Sequence, residues 1–197
     1  MLERRLCGIR CRVSLLFPAL VTTLLLYQPN GLAISCLLAS LIHEGGHLIA
    51  MLVIGVSPQK CTLGAFGMRI DMGNHLVGYG QNLFVSLAGP LANGLAAIVL
   101  LPIHCVTGAA VHIALAVLNL LPASALDGGE MLRCGLGLLG LGSIADMVLR
   151  FASALVLLPL ASISLWLCFQ KENPTLLIVS GYLTTLVFFS EKSEKTS

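Results

Sequence analysis

The chain has 197 residues, 57% of them hydrophobic and only 10% charged, where a soluble domain carries roughly a quarter charged side chains. So little polar surface all but excludes a water-soluble enzyme, and the expected solvent is a lipid bilayer. The formal net charge of +2 is too small to suggest nucleic acid as a partner, and no basic face interleaved with aromatics is present.

In chain order, six apolar stretches approach the about 20 residues that a bilayer-crossing helix needs. The first covers residues 13–27, behind Arg4, Arg5, Arg10 and Arg12. It reads as a retained helix rather than a signal peptide, because no small-residue cleavage pattern follows it. The second covers 32–54. Residues 57–81 break the helical pattern with glycines and prolines, and Phe66, Met68, Ile70 and Met72 alternate as in a strand. One or two short strands, a β-hairpin or a re-entrant segment are expected there.

The third stretch covers 82–101 and the fourth 109–121. Residues 122–145 look irregular, with glycines at 128, 129, 135, 137, 140 and 142. The fifth stretch covers 147–169 and the sixth 174–189. The expected fold is therefore an all-α membrane protein of about six transmembrane helices, with a cytoplasmic-side hairpin or re-entrant segment between the second and third. Residues 1–190 form one multi-pass domain and 191–197 a short tail. With the N-terminus in the cytoplasm, every Lys and Arg except Lys171 falls on the cytoplasmic side, as the positive-inside rule requires. Both termini are then cytoplasmic. The cysteines are scattered without a CxxC pair, so neither a disulfide framework nor a cysteine zinc site is indicated.

The second span contains His43-Glu44-Gly45-Gly46-His47. Histidines at i and i+4 project from one helical face and can share one Zn²⁺, and Glu44 can act as general base on a water beside it. The motif lies near the middle of its span, where a carboxylate costs at least about 2.5–3.5 kcal/mol on insertion scales. A helix–helix hydrogen-bond cluster would explain neither the i,i+4 register nor the acid between the histidines. A catalytic zinc needs a third protein ligand, and the aspartates are Asp71, Asp127 and Asp146. Pro122 should end the fourth span short of the cytoplasmic face, leaving Asp127 on irregular backbone at membrane depth. Asp127 is favoured as ligand, with a helix N-cap as the alternative. His112 reads as a histidine at the membrane boundary, and Asp146 and Arg150 as an i,i+4 pair.

These residues resemble the site-2 proteases, a family of intramembrane zinc metalloproteases. The resemblance rests on His43-Glu44-Gly45-Gly46-His47, on Ala88-Gly89-Pro90-Leu91-Ala92-Asn93, and on Asn119-Leu120-Leu121-Pro122 with Leu126-Asp127-Gly128-Gly129. It implies one Zn²⁺ per chain held by His43, His47 and Asp127, with Glu44 as catalytic acid and base. It also implies that Asn93 and Asn119 line the site or hold substrate. For Asn93 a helix-gluing hydrogen bond is an equal alternative. The family's hairpin corresponds to residues 62–72, where a strand edge could receive unwound substrate.

The expected activity is hydrolysis of peptide bonds in or near transmembrane segments of membrane-tethered proteins, regulators such as transcription or sigma factors among them. A regulatory membrane partner and a bacterial plasma membrane are implied in the same way. No PDZ-like insertion separates the motifs, and no C-terminal regulatory domain is expected. The rival readings are an ion transporter using the intramembrane histidines and carboxylates, and an inactive protease-like scaffold.

Overall fold

The computed structural model describes residues 2–6, 9–13, 31–56, 60–64, 67–71, 78–124, 126–171 and 181. The tail, the expected sixth span apart from Gly181, and the expected first span apart from Val13 lie outside these residues. The chain divides into two compact units, Met1–Val117 and Leu118–Ser197.

The first unit contains a sheet of four strands, β1 (Leu2–Leu6), β2 (Ile9–Val13), β3 (Lys60–Gly64) and β4 (Gly67–Asp71), in the spatial order β1-β2-β3-β4. β1 and β2 are antiparallel, β2 and β3 parallel, and β3 and β4 antiparallel. Period-two patterning explains the strands. Ile9-Arg10-Cys11-Arg12-Val13 alternates apolar and cationic residues, and Met68-Arg69-Ile70-Asp71 alternates apolar and charged ones. The register aligns Arg5, Arg10, Lys60 and Asp71 in one cross-strand row, and Glu3, Arg12, Thr62 and Arg69 in another. Residues 2–6 and 9–13 are thus strand, and Val13 closes β2 instead of opening a helix.

Among the described residues, this unit also contains three helices. They are α1 (Leu32–Val53), α2 (Tyr79–Leu100) and α3 (Val106–Asn119), whose last two residues pass into the second unit. α1 opens at Gly31, which has a left-handed φ of 77° and whose carbonyl accepts from the Ser35 amide and hydroxyl. It closes at Gly55, with φ 73° and with the Val56 amide donating to the Met51 carbonyl, an arrangement that satisfies carbonyls left over at a helix end. α2 begins three residues before the expected span. Gln81 reaches back to accept from the Gly78 amide at 3.3 Å, so the polar first turn is capped as helix. Gly46 lets α1 and α2 approach closely, since an added Cβ would stand 2.5 Å from the Ala88 carbonyl oxygen and 2.8 Å from Ala92 Cβ.

The second unit contains α4 (Asp127–Leu138) and α5 (Gly142–Lys171). α4 replaces the expected irregular stretch. Its glycines lower helix propensity, but Asp127 and Glu130 lie in its first turn, where negative charge favours a helix N-terminus. Ala123 and Leu157 form a small core with Leu118, Leu126 and Leu160 around them. Arg133 of α4 pairs with Asp146 of α5 at 3.2 Å. Asp146 therefore serves the α4–α5 contact and not the expected pair with Arg150.

Three of the described helices, α1, α2 and residues Gly142–Trp166 of α5, are long and apolar enough to cross a membrane. α3 is apolar but shorter. Large side chains such as Leu52, Leu95 and Phe151 are exposed, while Ala39, Ala50, Ser86, Asn93 and Ala109 are buried. Small and polar residues packed inside, with Leu and Phe outside, is the pattern of helices whose surroundings are as apolar as their own side chains.

Candidate metal centre

In the first unit, α1 supplies His43 and His47, both buried. Their Nε2 atoms are 3.2 Å apart, and the rings meet edge to face with centroids 4.8 Å apart. His47 has a fixed tautomer. A carbonyl can only accept, so the bond of 2.8 Å between His47 Nδ1 and the Val85 carbonyl oxygen is donated by Nδ1–H. The Nε2 lone pair of His47 is then available to a metal. Two nitrogens of a tetrahedral zinc at about 2.0–2.1 Å stand roughly 3.3–3.4 Å apart, so the pair fits a shared ion. Glu44, one residue along from His43, is half-buried.

α2 shapes the space for these rings. Gly89 faces both imidazoles, and an added Cβ would collide with His47 Nε2 and stand 2.8 Å from His43 Cε1. One turn further on, Asn93 is fully buried, with its amide nitrogen 3.2 Å from His43 Nδ1. Its amide oxygen lies 2.8 Å from Nδ1 of His112 on α3. Asn93 is thus held between two histidines. His112 itself is buried, which corrects its reading as a boundary residue. A signal was available, because Gly108, His112 and Ala116 are buried at i, i+4 and i+8 on one stripe of α3.

In the second unit, Asn119 ends α3 and is half-buried. Asp127 is the first residue of α4, while Leu126, with φ −115° and ψ 162°, occupies the N-cap position. The N-cap alternative for Asp127 therefore falls. Gly128 packs against the Leu120 carbonyl and Gly129 against that of Ala123, so a Cβ at either would strike backbone. In the same helix the Cys134 thiol donates to Glu130 at 3.5 Å. Burial, with the Glu130 carboxylate beside it, pushes that thiol up to about 12.

In architecture the chain is similar to a protease of known structure. That structure is the site-2 protease from Methanocaldococcus jannaschii, at a TM-score of 0.69 and 22% identity, over 98% of this chain and 94% of that one. No protein-family model matches the chain, and no curated protein sequence does. The likeness is therefore one of fold, read beside the histidine pair and its setting.

Proposed function

We propose that the chain is an intramembrane zinc metalloprotease of the site-2 type, in which His43, His47 and Asp127 together hold one Zn²⁺. Each offers one ligand atom, and two imidazoles with one carboxylate form a common catalytic donor set that leaves a position for water. The observation that carries this reading is the buried imidazole pair with converging Nε2 atoms on an apolar helix. Gly89 of α2 leaves the room that both rings occupy.

The ion, when bound, lowers the pKa of a water and polarises the scissile carbonyl. Glu44 takes a proton from the attacking water on its carboxylate oxygen and delivers it to the leaving amine nitrogen. Asn119 donates its amide N–H to the carbonyl oxygen as negative charge develops there, or to extended substrate backbone. β4, at one edge of the sheet, offers backbone groups to a substrate segment that has left its helix.

The substrates are membrane-tethered proteins, with transcription or sigma factors as the regulator class to try first, and a second membrane protein is the expected regulator. The enzyme sits in a bacterial plasma membrane with both termini in the cytoplasm. Co-expression with candidate tethered regulators tests the reading. Wild type should cut them, while Glu44→Gln should accumulate uncut substrate, slowed by about 10²–10⁴-fold or more with zinc content unchanged. Cleavage by the Gln variant at the wild-type rate would overturn the mechanism.

A further inference from the structure

The buried polar groups of the first unit form a continuous chain, His112 Nδ1 to Asn93, Asn93 to His43 Nδ1, His43 Nε2 to His47 Nε2, and His47 Nδ1 to the Val85 carbonyl. With the Asn93 oxygen toward His112, all four bonds run one way. His112 Nδ1–H donates to Asn93 Oδ1, and Asn93 Nδ2–H donates to His43 Nδ1. His43 Nε2–H then donates to His47 Nε2, and His47 Nδ1–H donates to Val85. That direction leaves a proton on His43 Nε2, the atom that would face a metal.

A neutral imidazole ligates only through a nitrogen without a proton. For His43 to ligate through Nε2, its proton must move to Nδ1, and the group opposite Nδ1 must become an acceptor. A half-turn of the Asn93 amide achieves this without moving any other heavy atom, since oxygen and nitrogen exchange places. The amide nitrogen then points at His112 Nδ1, which must accept and carry its own proton on Nε2. Val85 cannot reverse, because a carbonyl has nothing to donate, so all adjustment falls on the His43 side.

We propose that His112, acting through Asn93, is a positioning residue that selects the metal-ready tautomer of His43. It does so by accepting from the Asn93 amide when the metal binds. This inference rests on the metal reading above. It assigns Asn93 to ligand orientation, with His112 as the far end of the same device. The partner on the non-ligating nitrogen of a metal-bound histidine fixes ring orientation and ligand basicity. Here that partner is an amide whose direction a third group decides.

The test is Co²⁺ uptake by the full chain in detergent micelles, followed by visible absorption and by competition with a chelator. Wild type should take one Co²⁺ with tetrahedral-type bands, and His47→Ala should lose uptake. His112→Ala should bind about 10–100-fold more weakly, with shifted bands. His112→Asn should restore most of the affinity, because its Oδ1 can accept near the place of Nδ1. Thermal unfolding of each variant identifies any loss due to misfolding. Wild-type affinity and bands in His112→Ala would overturn the inference and leave the metal reading standing. Equal losses in folded Ala and Asn variants would overturn it too, since packing alone would then explain them. A wild-type chain without Co²⁺ uptake would remove the metal reading and this inference with it.

Discussion

The α1–α2 pair and the turn into α4 both depend on glycine, and to different ends. At Gly89 the missing side chain leaves room for two imidazoles, so the glycine serves side-chain chemistry. At Gly128 and Gly129 the missing side chains let a helix start lie against the carbonyls of residues 120–123, so the glycines serve backbone geometry. Buried polar groups divide in the same way. Between α1, α2 and α3 they are side chains, bonded to one another and, at His47, to the Val85 carbonyl. Beside α4 the Ser124 backbone amide donates to Ser153 Oγ of α5 at 3.0 Å. One region is built around ring nitrogens, and the other holds in place the turn and helix start that carry Asp127. Equal-sized substitutions should therefore have unequal consequences for metal and for stability.

The largest effect is expected for Gly89→Ala. A methyl group there must displace both imidazoles, since its nearest neighbours are ring atoms packed against a helix. Metal uptake, measured as Co²⁺ stoichiometry, should be lost, along with roughly 1–3 kcal/mol of stability from overpacking. Full uptake by this variant would show that the rings can retreat together, and the contrast between the two regions would fail.

Gly128→Ala should cost a similar about 1–3 kcal/mol of stability, because its obstruction is the Leu120 carbonyl. Its companion Gly135→Ala meets nothing within 4 Å, and should be neutral or stabilising by up to roughly 1 kcal/mol through helix propensity. Thermal melting of both variants in one detergent sharpens the comparison. Similar melting temperatures would mean that close approach at Gly128 does not govern the turn.

The legible and illegible parts of the molecule differ in the range of the forces involved. The His43–His47 spacing was readable because a helix's own geometry brings i and i+4 together. The approximate extents of α1, α2 and α5 followed from apolar length. The strand β2 carried a clear local signal in Ile9-Arg10-Cys11-Arg12-Val13, but the same arginines suit the flank of a membrane helix. Pairing with Lys60–Gly64, distant in sequence, decides between the two. α4 was obscured because Gly128 and Gly129 argue against a helix locally, while their value lies in a contact that only folding creates. His112 was misplaced for a similar reason. A histidine's environment depends on which helix faces it, and only the structure brings Asn93 within 2.8 Å.

The smallest effect is expected at the ion pair between α4 and α5. Arg133 and Asp146 are 3.2 Å apart, with side chains 29% and 62% exposed. Solvent and salt screen such a pair, and exposed pairs typically contribute about 0.2–1 kcal/mol. Asp146→Asn should therefore lower the melting temperature only slightly, by an amount that shrinks as salt is raised. It should leave metal uptake unchanged, because neither Arg133 nor Asp146 is among the three proposed ligands. The informative outcome is the combination of readings. A change in Co²⁺ affinity in Asp146→Asn, without a change in stability, would show that the α4–α5 contact tunes the metal site. The pair would then count as part of what positions Asp127, and not only of the α4–α5 contact.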